Sequence, residues 1–437
     1  MLDRDEMREI AEKVIGMCEA DEVEVVITSS DGYLTRYASN HIHQNTGETN
    51  FTITVRAVVG KRMGEASTDR LDEGSLKEVA CNASELARVS PEDPELLPRL
   101  GPQDYREVEA FYYEEITPRE RAEGVAQVVD PCRTIGLTAA GIFANARSSM
   151  VIANSKGLFA FYKSTSVTFS ASVMGEGSSG WCERSAKTKA EIFPREIGER
   201  AIHKAEKGRN PKEIEPGKYT VVLEPAAVAG LVGYLAFGFD ALAVDEGRSF
   251  LAGKLGRRVF GENVNLATDV YHPLHREAPF DAEGVPTKRV QLVQEGVVEN
   301  LVYDRLTAEK HGVEPTGHGV GGRGTYGAYP RALVMGGGGD TLEEMIASTR
   351  RGIFVTRVHY QNLVDPMQLI VTGMTRDGTF WIEDGKIRFG IKNLRFNQSL
   401  LDMLNKVEMM SEAVYAFGMV VPAVKVVDFN FTSGTEF

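Results

Sequence analysis

The chain has 437 residues, 42% hydrophobic and 25% charged, which is the balance of a soluble globular protein; its length suits two compact units better than one core. With 49 basic against 62 acidic residues the formal net charge is −13, a surface that repels phosphate backbones and anionic lipid and argues against nucleic acid or a membrane as the main partner. The amino terminus is charged where a signal peptide would be apolar, and the longest apolar run, residues 226–239, falls short of the roughly 20 residues a bilayer requires. Cys18, Cys81, Cys132 and Cys182 are widely spaced and form no CxxC, so free thiols in a reducing, cytoplasmic setting are expected.

Asp3 and Glu6 form a capping-box pair, and Met7, Ile10, Val14 and Cys18 recur at helical spacing, which predicts a first helix. Strand-like runs follow at residues 24–28 and 51–59, with Asp31-Gly32 as the turn signal between them. A second helix is expected from Ser75, with Glu78 as its cap partner and Leu76, Val79, Ala80, Ala83 and Leu86 buried. Residues 90–104 are rich in proline and charge and read as a linker. Thr117, Pro118 and Glu120 predict a third helix, and residues 137–172, with Asn154-Ser155-Lys156-Gly157 inside them, read as paired strands. A helix over 195–207 closes this half, and the Pro- and Gly-containing residues 210–217 mark the expected boundary between domains 1–214 and 215–437.

The second half opens with a strand over 219–223 and a helix entered at Pro225. Strand pairs then hinge at Glu295-Gly296 and Asp384-Gly385, with Asp377-Gly378 as a further turn. A helix from Asp340, with Glu343 as its cap partner, is expected to stop at Gly352; a late helix over 399–408 and a final strand over 423–431 follow. Helices and strands come in clusters and not in regular alternation. The expected class is therefore α+β: an N-terminal mixed helix and antiparallel-sheet domain, then a larger, β-rich, barrel-like C-terminal domain with a few helices.

Few strings carry chemistry on their own. Gly317-His318-Gly319-Val320-Gly321-Gly322 matches a dinucleotide fingerprint in letters, but it runs into Arg323-Gly324-Thr325, which cannot open the helix a pyrophosphate needs. Gly336 to Gly339 lacks the following Gly-Lys-Ser/Thr of a phosphate loop, so close backbone approach to a peptide or tight strand packing is the reading there. His272 and His275, with Glu277 nearby, have metal-ligand types, but Pro273 breaks the geometry that would aim both rings at one ion. Glu343 and Glu344 are first-turn helix charges, and Gly177-Ser178-Ser179-Gly180 has no base beside it, so no catalytic residue and no metal ligand is nominated. The run 226–239 is apolar all round and must be buried; its interior glycines each cost about 1 kcal/mol relative to alanine in a helix, which points to close packing or to a site whose side chains are gone.

Residues in the second half resemble the TldD/PmbA (TldE) metallopeptidase family. The matching stretches, in order, are Val222-Leu223-Glu224-Pro225, residues 249–256, residues 279–289, Glu295-Gly296, Tyr303-Asp304-Arg305-Leu306, Thr316-Gly317-His318-Gly319, residues 340–344 and residues 351–356. Asn40, Val55-Arg56, residues 60–64, Ala66-Ser67 and residues 154–157 extend the match into the first half. In TldD-like members the helix after the Leu-x-Pro strand carries His-Glu-x-x-x-His, whose imidazoles bind zinc while the glutamate serves as general base. The corresponding positions here are Gly233 and Gly238 for the histidines and Tyr234 for the glutamate, and no cysteine follows Cys182 to stand for the family's late ligand. The resemblance therefore implies a TldE-like subunit without zinc of its own, working with a TldD-like chain that holds the metal and degrading unfolded peptides or processing peptide precursors. It implies extended peptide bound as an added strand, a homodimer when the chain is isolated, and a peptide- or partner-facing surface for which Arg305, His318 and Arg323 are the candidates. A stand-alone hydrolase with a metal site relocated to His272, His275 and His318, or a regulator of the DNA gyrase modulator type, are the alternatives.

Overall fold

The structure, a computed structural model, describes residues 1–322 and 326–435. The first half is built on one long antiparallel sheet. Helix α1 (Arg4–Met17), capped by Asp3 and Glu6 as expected, leads into β1 (Glu22–Ala38), β2 (His41–Val59) and β3 (Arg62–Thr68). Asp31-Gly32 does not turn the chain: β1 runs straight through it, and the reversal comes at Ser39 and Asn40, both at positive φ. The side chains explain this, because Asp31 takes ion pairs from the amino terminus and Arg147 and is held flat in the strand.

Helix α2 (Glu73–Val89) starts two residues earlier than its expected start at Ser75, because the cap is Asp72, whose carboxylate accepts from Ser75 N–H. After residues 90–117 come α3 (Pro118–Thr134), with the expected Thr117–Glu120 capping box, then β4 (Thr138–Asn154), β5 (Phe159–Gly175), β6 (Ser178–Ala186) and α4 (Pro194–Lys207). The six strands lie in the order β3-β2-β1-β4-β5-β6, with β1 paired along most of its length to both β2 and β4.

All four helices cover one face of this sheet. Met7, Val14, Val25, Ile27, Val55, Val79 and Ala83 form the core under α1 and α2. Phe143, Phe169, Val128, Val173 and Ile197 form the core under α3 and α4. Between the two, Arg121 is 1% exposed and is held by the carbonyl of Ile116 (2.6 Å), Thr35 Oγ1 and the side-chain oxygens of Asn45 and Asn145. A buried guanidinium held only by neutral acceptors stays satisfied while all of them are in place.

The second half begins with β7 (Gly217–Leu223) and α5 (Pro225–Val232). The apolar run does not continue as α-helix: it tightens into a 3-10 segment, Gly233–Phe239, before α6 (Ala241–Asp245). Next come β8 (Leu266–Thr268), β9 (Val290–Gln294), β10 (Val297–Val298), α7 (Arg305–His311), β11 (Leu333–Met335) and α8 (Leu342–Ala347). Then follow β12 (Arg351–Asp365), β13 (Ile370–Glu383), β14 (Lys386–Gly390), β15 (Leu394–Ser399), α9 (Leu400–Leu404), β16 (Val407–Met410), β17 (Val414–Ala416), β18 (Met419–Val421) and β19 (Val424–Gly434). Strands β12, β7, β19, β15 and β13 pair in sequence, and β13 pairs back to β12, which closes a five-stranded ring. This is the barrel-like element the β-rich pattern anticipates. A second sheet, β10-β9-β8-β11-β18-β17, shares its core with the ring and with α5.

Glu295-Gly296 and Asp384-Gly385 turn their hairpins with both residues at positive φ, as expected. Asp377-Gly378 instead lies inside β13, where the register against β12 slips by one residue; it is a bulge and not a turn. The helix expected from Asp340 to Gly352 is a single short one, α8, capped by Thr341 with Glu344, and Gly352 sits in β12 because a side chain there would strike the Thr220 carbonyl of β7 at 2.5 Å. The late helix ends at Leu404, and Val407–Met410 pairs with β19.

The linker reading of residues 90–104 has a definite geometry. This segment is a strap between the halves: the Leu100 carbonyl accepts from Asn154 of the first half, residues 95–106 reach the second, and the chain from Glu109 to Tyr113 returns to the first sheet at Thr165 and Lys187. Glu95 pairs with Lys310 (2.7 Å), the Pro98 carbonyl accepts from Arg305, Tyr105 donates to the Gly284 carbonyl (2.7 Å), and Arg106 lies over the Tyr271 ring. Arg121→Ala is expected to lower stability by about 2–4 kcal/mol, since it strands the Ile116 carbonyl and opens a cavity; urea unfolding of the two proteins measures it.

Candidate functional site

The three positions marked by the resemblance, Gly233, Tyr234 and Gly238, all lie on the 3-10 segment that follows α5. A β-carbon at position 238 would stand 2.1 Å from the ring of Phe250, and one at 233 would stand 3.3 Å from the Met419 methyl. Gly230 is closed in the same way by Gln361 and Val358. These glycines are therefore sites of close approach, and the volume a histidine would fill at 238 belongs to Phe250, which is buried. Tyr234 is half-buried against the same core. Zinc does not fit this helix: the residues present offer it no nitrogen, and the packing leaves no room to add one at 238.

The histidines named as an alternative site are separated by their packing. His275 is fully buried, donates through Nε2 to the Leu333 carbonyl (3.1 Å), and has its pKa pushed down by burial to about 4. Its ring centroid is 6.1 Å from that of His272. His318 is 1% exposed, with Nε2 at Thr268 Oγ1 and Nδ1 at Thr316 Oγ1; burial pushes its pKa down to about 3, so both rings are neutral at ordinary pH. Among the described residues no three His, Cys, Asp or Glu side chains gather as a metal-binding group.

His318 opens a glycine-rich loop that buried carboxylates hold at both ends. Asp281 accepts from the N–H groups of Glu283, Val285 and Gly319 (2.7 Å to the last). Asp240, which caps α6, accepts from Gly327 and Ala328. Glu283 accepts from Arg305 N–H and lies where a side chain at Gly319 would collide with it. Gly317 is at φ +73°, its backbone pressed on the Pro286 carbonyl, so only glycine fits. Arg305, a candidate for a binding role, is placed by the structure on the strap and on this carboxylate group; Arg323 lies outside the described residues. The glycines at 337 and 338 press against the Ser411 and Met410 carbonyls, so of the two readings for that run tight strand packing holds.

Burial pushes the carboxyl of Glu283 up to about 7, with the nearby Asp281 charge adding to it, and pushes Asp281 up to about 6. A carboxyl whose folded pKa is raised contributes stability below its unfolded value and loses it as pH climbs through the folded value.

An open cleft lies elsewhere. A cavity of about 400 Å³ sits between the helix-free face of the first sheet and the second half, lined by Thr28, Ser30, Asn50, Thr52, Ser148 and Met150 below and by Arg276, Glu277 and Arg331 above. Ala278 and Phe280 seal its inner end against Ile152, Leu158 and Ala160. The sequence reading missed this cleft, of which each strand shows only a fragment: small polar residues two apart, as in Thr28 and Ser30 of β1 and Asn50 and Thr52 of β2.

With this geometry in view, comparison with known proteins is decisive. Residues 216–433 match the PmbA/TldA metallopeptidase C-terminal domain, 109–209 its central domain and 23–87 its domain 1. The chain belongs to the PmbA/TldD family. It is 25% identical to the metalloprotease PmbA of Escherichia coli over 89% of this chain and 86% of that one. It is 28% identical to an uncharacterized protein of Methanocaldococcus jannaschii, a match spanning 61% of this chain and 63% of the relative. Its fold superposes on the crystal structure of TldE from Thermococcus kodakarensis with a TM-score of 0.88 at 22% identity, covering 98% of this chain and 99% of the other. Among the described residues no helix is long and apolar enough to cross a membrane.

Two outcomes follow for this PmbA/TldD-family chain. Gly238→Ala is expected to cost about 1–3 kcal/mol through overpacking against Phe250, and Phe250→Leu in the same chain to recover part of it, both read from urea midpoints. Glu283→Gln is expected to flatten the fall in stability between about pH 5 and pH 8 relative to the parent chain; identical pH profiles would show that this carboxyl is not buried in its neutral form.

Proposed function

We propose that this chain is the TldE-like, zinc-free subunit of a TldD/TldE-type peptidase, holding extended or unfolded peptide while a TldD-like partner supplies the metal and the bond-breaking chemistry. The observation that carries this reading is the closed helix: a member of a metallopeptidase family whose Gly238 is packed against Phe250 where the family's second imidazole would stand. What remains for such a chain is peptide handling. Strand β3 covers only Ile53 to Val59 of β2, and the exposed stretch of β2 from His41 onward presents backbone donors and acceptors at an open sheet edge. An added strand would take its affinity from those groups and read little sequence, which suits a substrate defined by being unfolded. The net charge of −13 disfavours the gyrase-modulator alternative as a direct DNA binder. A cytoplasmic location accords with the free cysteines.

Co-expression with a family member that carries His-Glu-x-x-x-His tests the proposal. A stable complex is expected to co-purify, to degrade an unfolded polypeptide and to lose that activity to a chelator, while each chain alone is inert. Comparable hydrolysis by this chain alone would overturn it.

A further inference from the structure

We propose that the cleft between the first sheet and the second half is a binding site for short peptides with both termini free. This deepens the peptide-handling reading and rests on it for the class of ligand. The floor of the cleft is a grid made by strand register. Asn50, Ser30, Ser148 and Ser164 lie in one row across β2, β1, β4 and β5, and Thr52, Thr28, Met150 and Tyr162 lie in the next. All point away from the helices, because the neighbouring odd-numbered positions of β1 supply the core.

Among the described residues the side chains of Thr28, Ser30, Asn50, Thr52 and Ser148 make no hydrogen bond. Five polar side chains without a protein partner, gathered on one face beside the other half of the protein, with Thr28, Asn50 and Thr52 open to solvent and Ser30 and Ser148 half-buried, offer alternating donors and acceptors to a ligand. A peptide backbone presents the same alternation, and Met150 with the Tyr162 ring gives its side chains an apolar rest.

The roof carries charge of both signs. Arg276 is fixed by the Ala186 carbonyl (2.9 Å) and Ser185 Oγ (2.8 Å), with its plane over the Tyr415 ring, and its own carbonyl accepts from Tyr162. Arg331 is fixed by the Phe280 carbonyl (2.9 Å). Both guanidiniums are thus held in place with donors left over. Glu277, next to Arg276, makes no hydrogen bond or ion pair among the described residues. Fixed guanidiniums recognise a carboxylate and an unpaired carboxylate recognises an ammonium, so the ligand this roof fits is a zwitterion. A cavity of about 400 Å³ lies toward the small end of ligand sites and limits it to a short peptide.

Isothermal titration of the isolated chain with tri-alanine, its N-acetylated form and its C-amidated form tests the assignment. The unblocked peptide is expected to bind, and each block to weaken binding by about tenfold or more. Glu277→Gln is expected to weaken the unblocked peptide and leave the acetylated one unchanged. Ser148→Trp, at a side chain with no internal bond to lose, is expected to abolish binding while the circular dichroism spectrum stays that of the parent. No binding of tri-alanine, equal binding of all three peptides, or undiminished affinity in a folded Ser148→Trp variant would overturn it. The titration needs no partner chain, so its failure is distinguishable from failure of the two-subunit reading.

Discussion

The constraint on which the molecule rests is the two-fold alternation of the long first sheet. Its central strand is paired on both sides, so successive side chains are committed to opposite faces and a slip of one residue would exchange core for solvent. Val23, Val25 and Ile27 go under the helices, and Val26, Thr28 and Ser30 go toward the second half. The apolar end of that second face docks on Ala278 and Phe280, and the polar end stays open. Core, contact between halves and cleft thus follow from one periodic pattern, with each residue's role set by whether its position is odd or even.

The second half solves a different problem. Its ring of five strands and its smaller sheet have to bury an apolar helix on every side, and they do so by bringing Phe250, Val358, Gln361 and Met419 against glycines. Small residues allow the distances, and the bulky neighbours fill the space that small residues leave. The result is a tightly filled interior at the place where catalytic members of the family, by resemblance, keep a metal. Glycine and bulky neighbour are matched there, so a larger side chain at 238 would need a smaller one at 250.

Much of this was legible in the sequence. Caps were legible where the right pair was read: Asp3 with Glu6, and Thr117 with Glu120, act through bonds between residues three apart, whereas the caps expected at Ser75 and Asp340 fall on Asp72 and Thr341. Turn signals were legible only where tertiary pairing agreed. Glu295-Gly296 turns, whereas Asp31-Gly32 is overruled by Arg147 and the amino terminus, and Asp377-Gly378 becomes a bulge under the pairing of β12 with β13. The α+β class and the barrel-like second half were legible from the clustering of strands, and the three matched family domains and the TldE superposition agree with them. The cleft was not, because its floor comes from four strands spread over more than a hundred residues and its roof from another part of the chain. His318 drew attention by its glycine neighbours, and only three dimensions show that both its nitrogens are already engaged.

The pairing of β1 with β4 also shapes how the chain is made. More than eighty residues, including α2, the strap and α3, separate these strands in sequence. On the ribosome, the hairpin of β1 and β2 emerges with its second edge bare and stays so until β4 follows. A long bare edge invites pairing with another nascent chain. The strand that covers this edge is thus synthesised well after the one it covers.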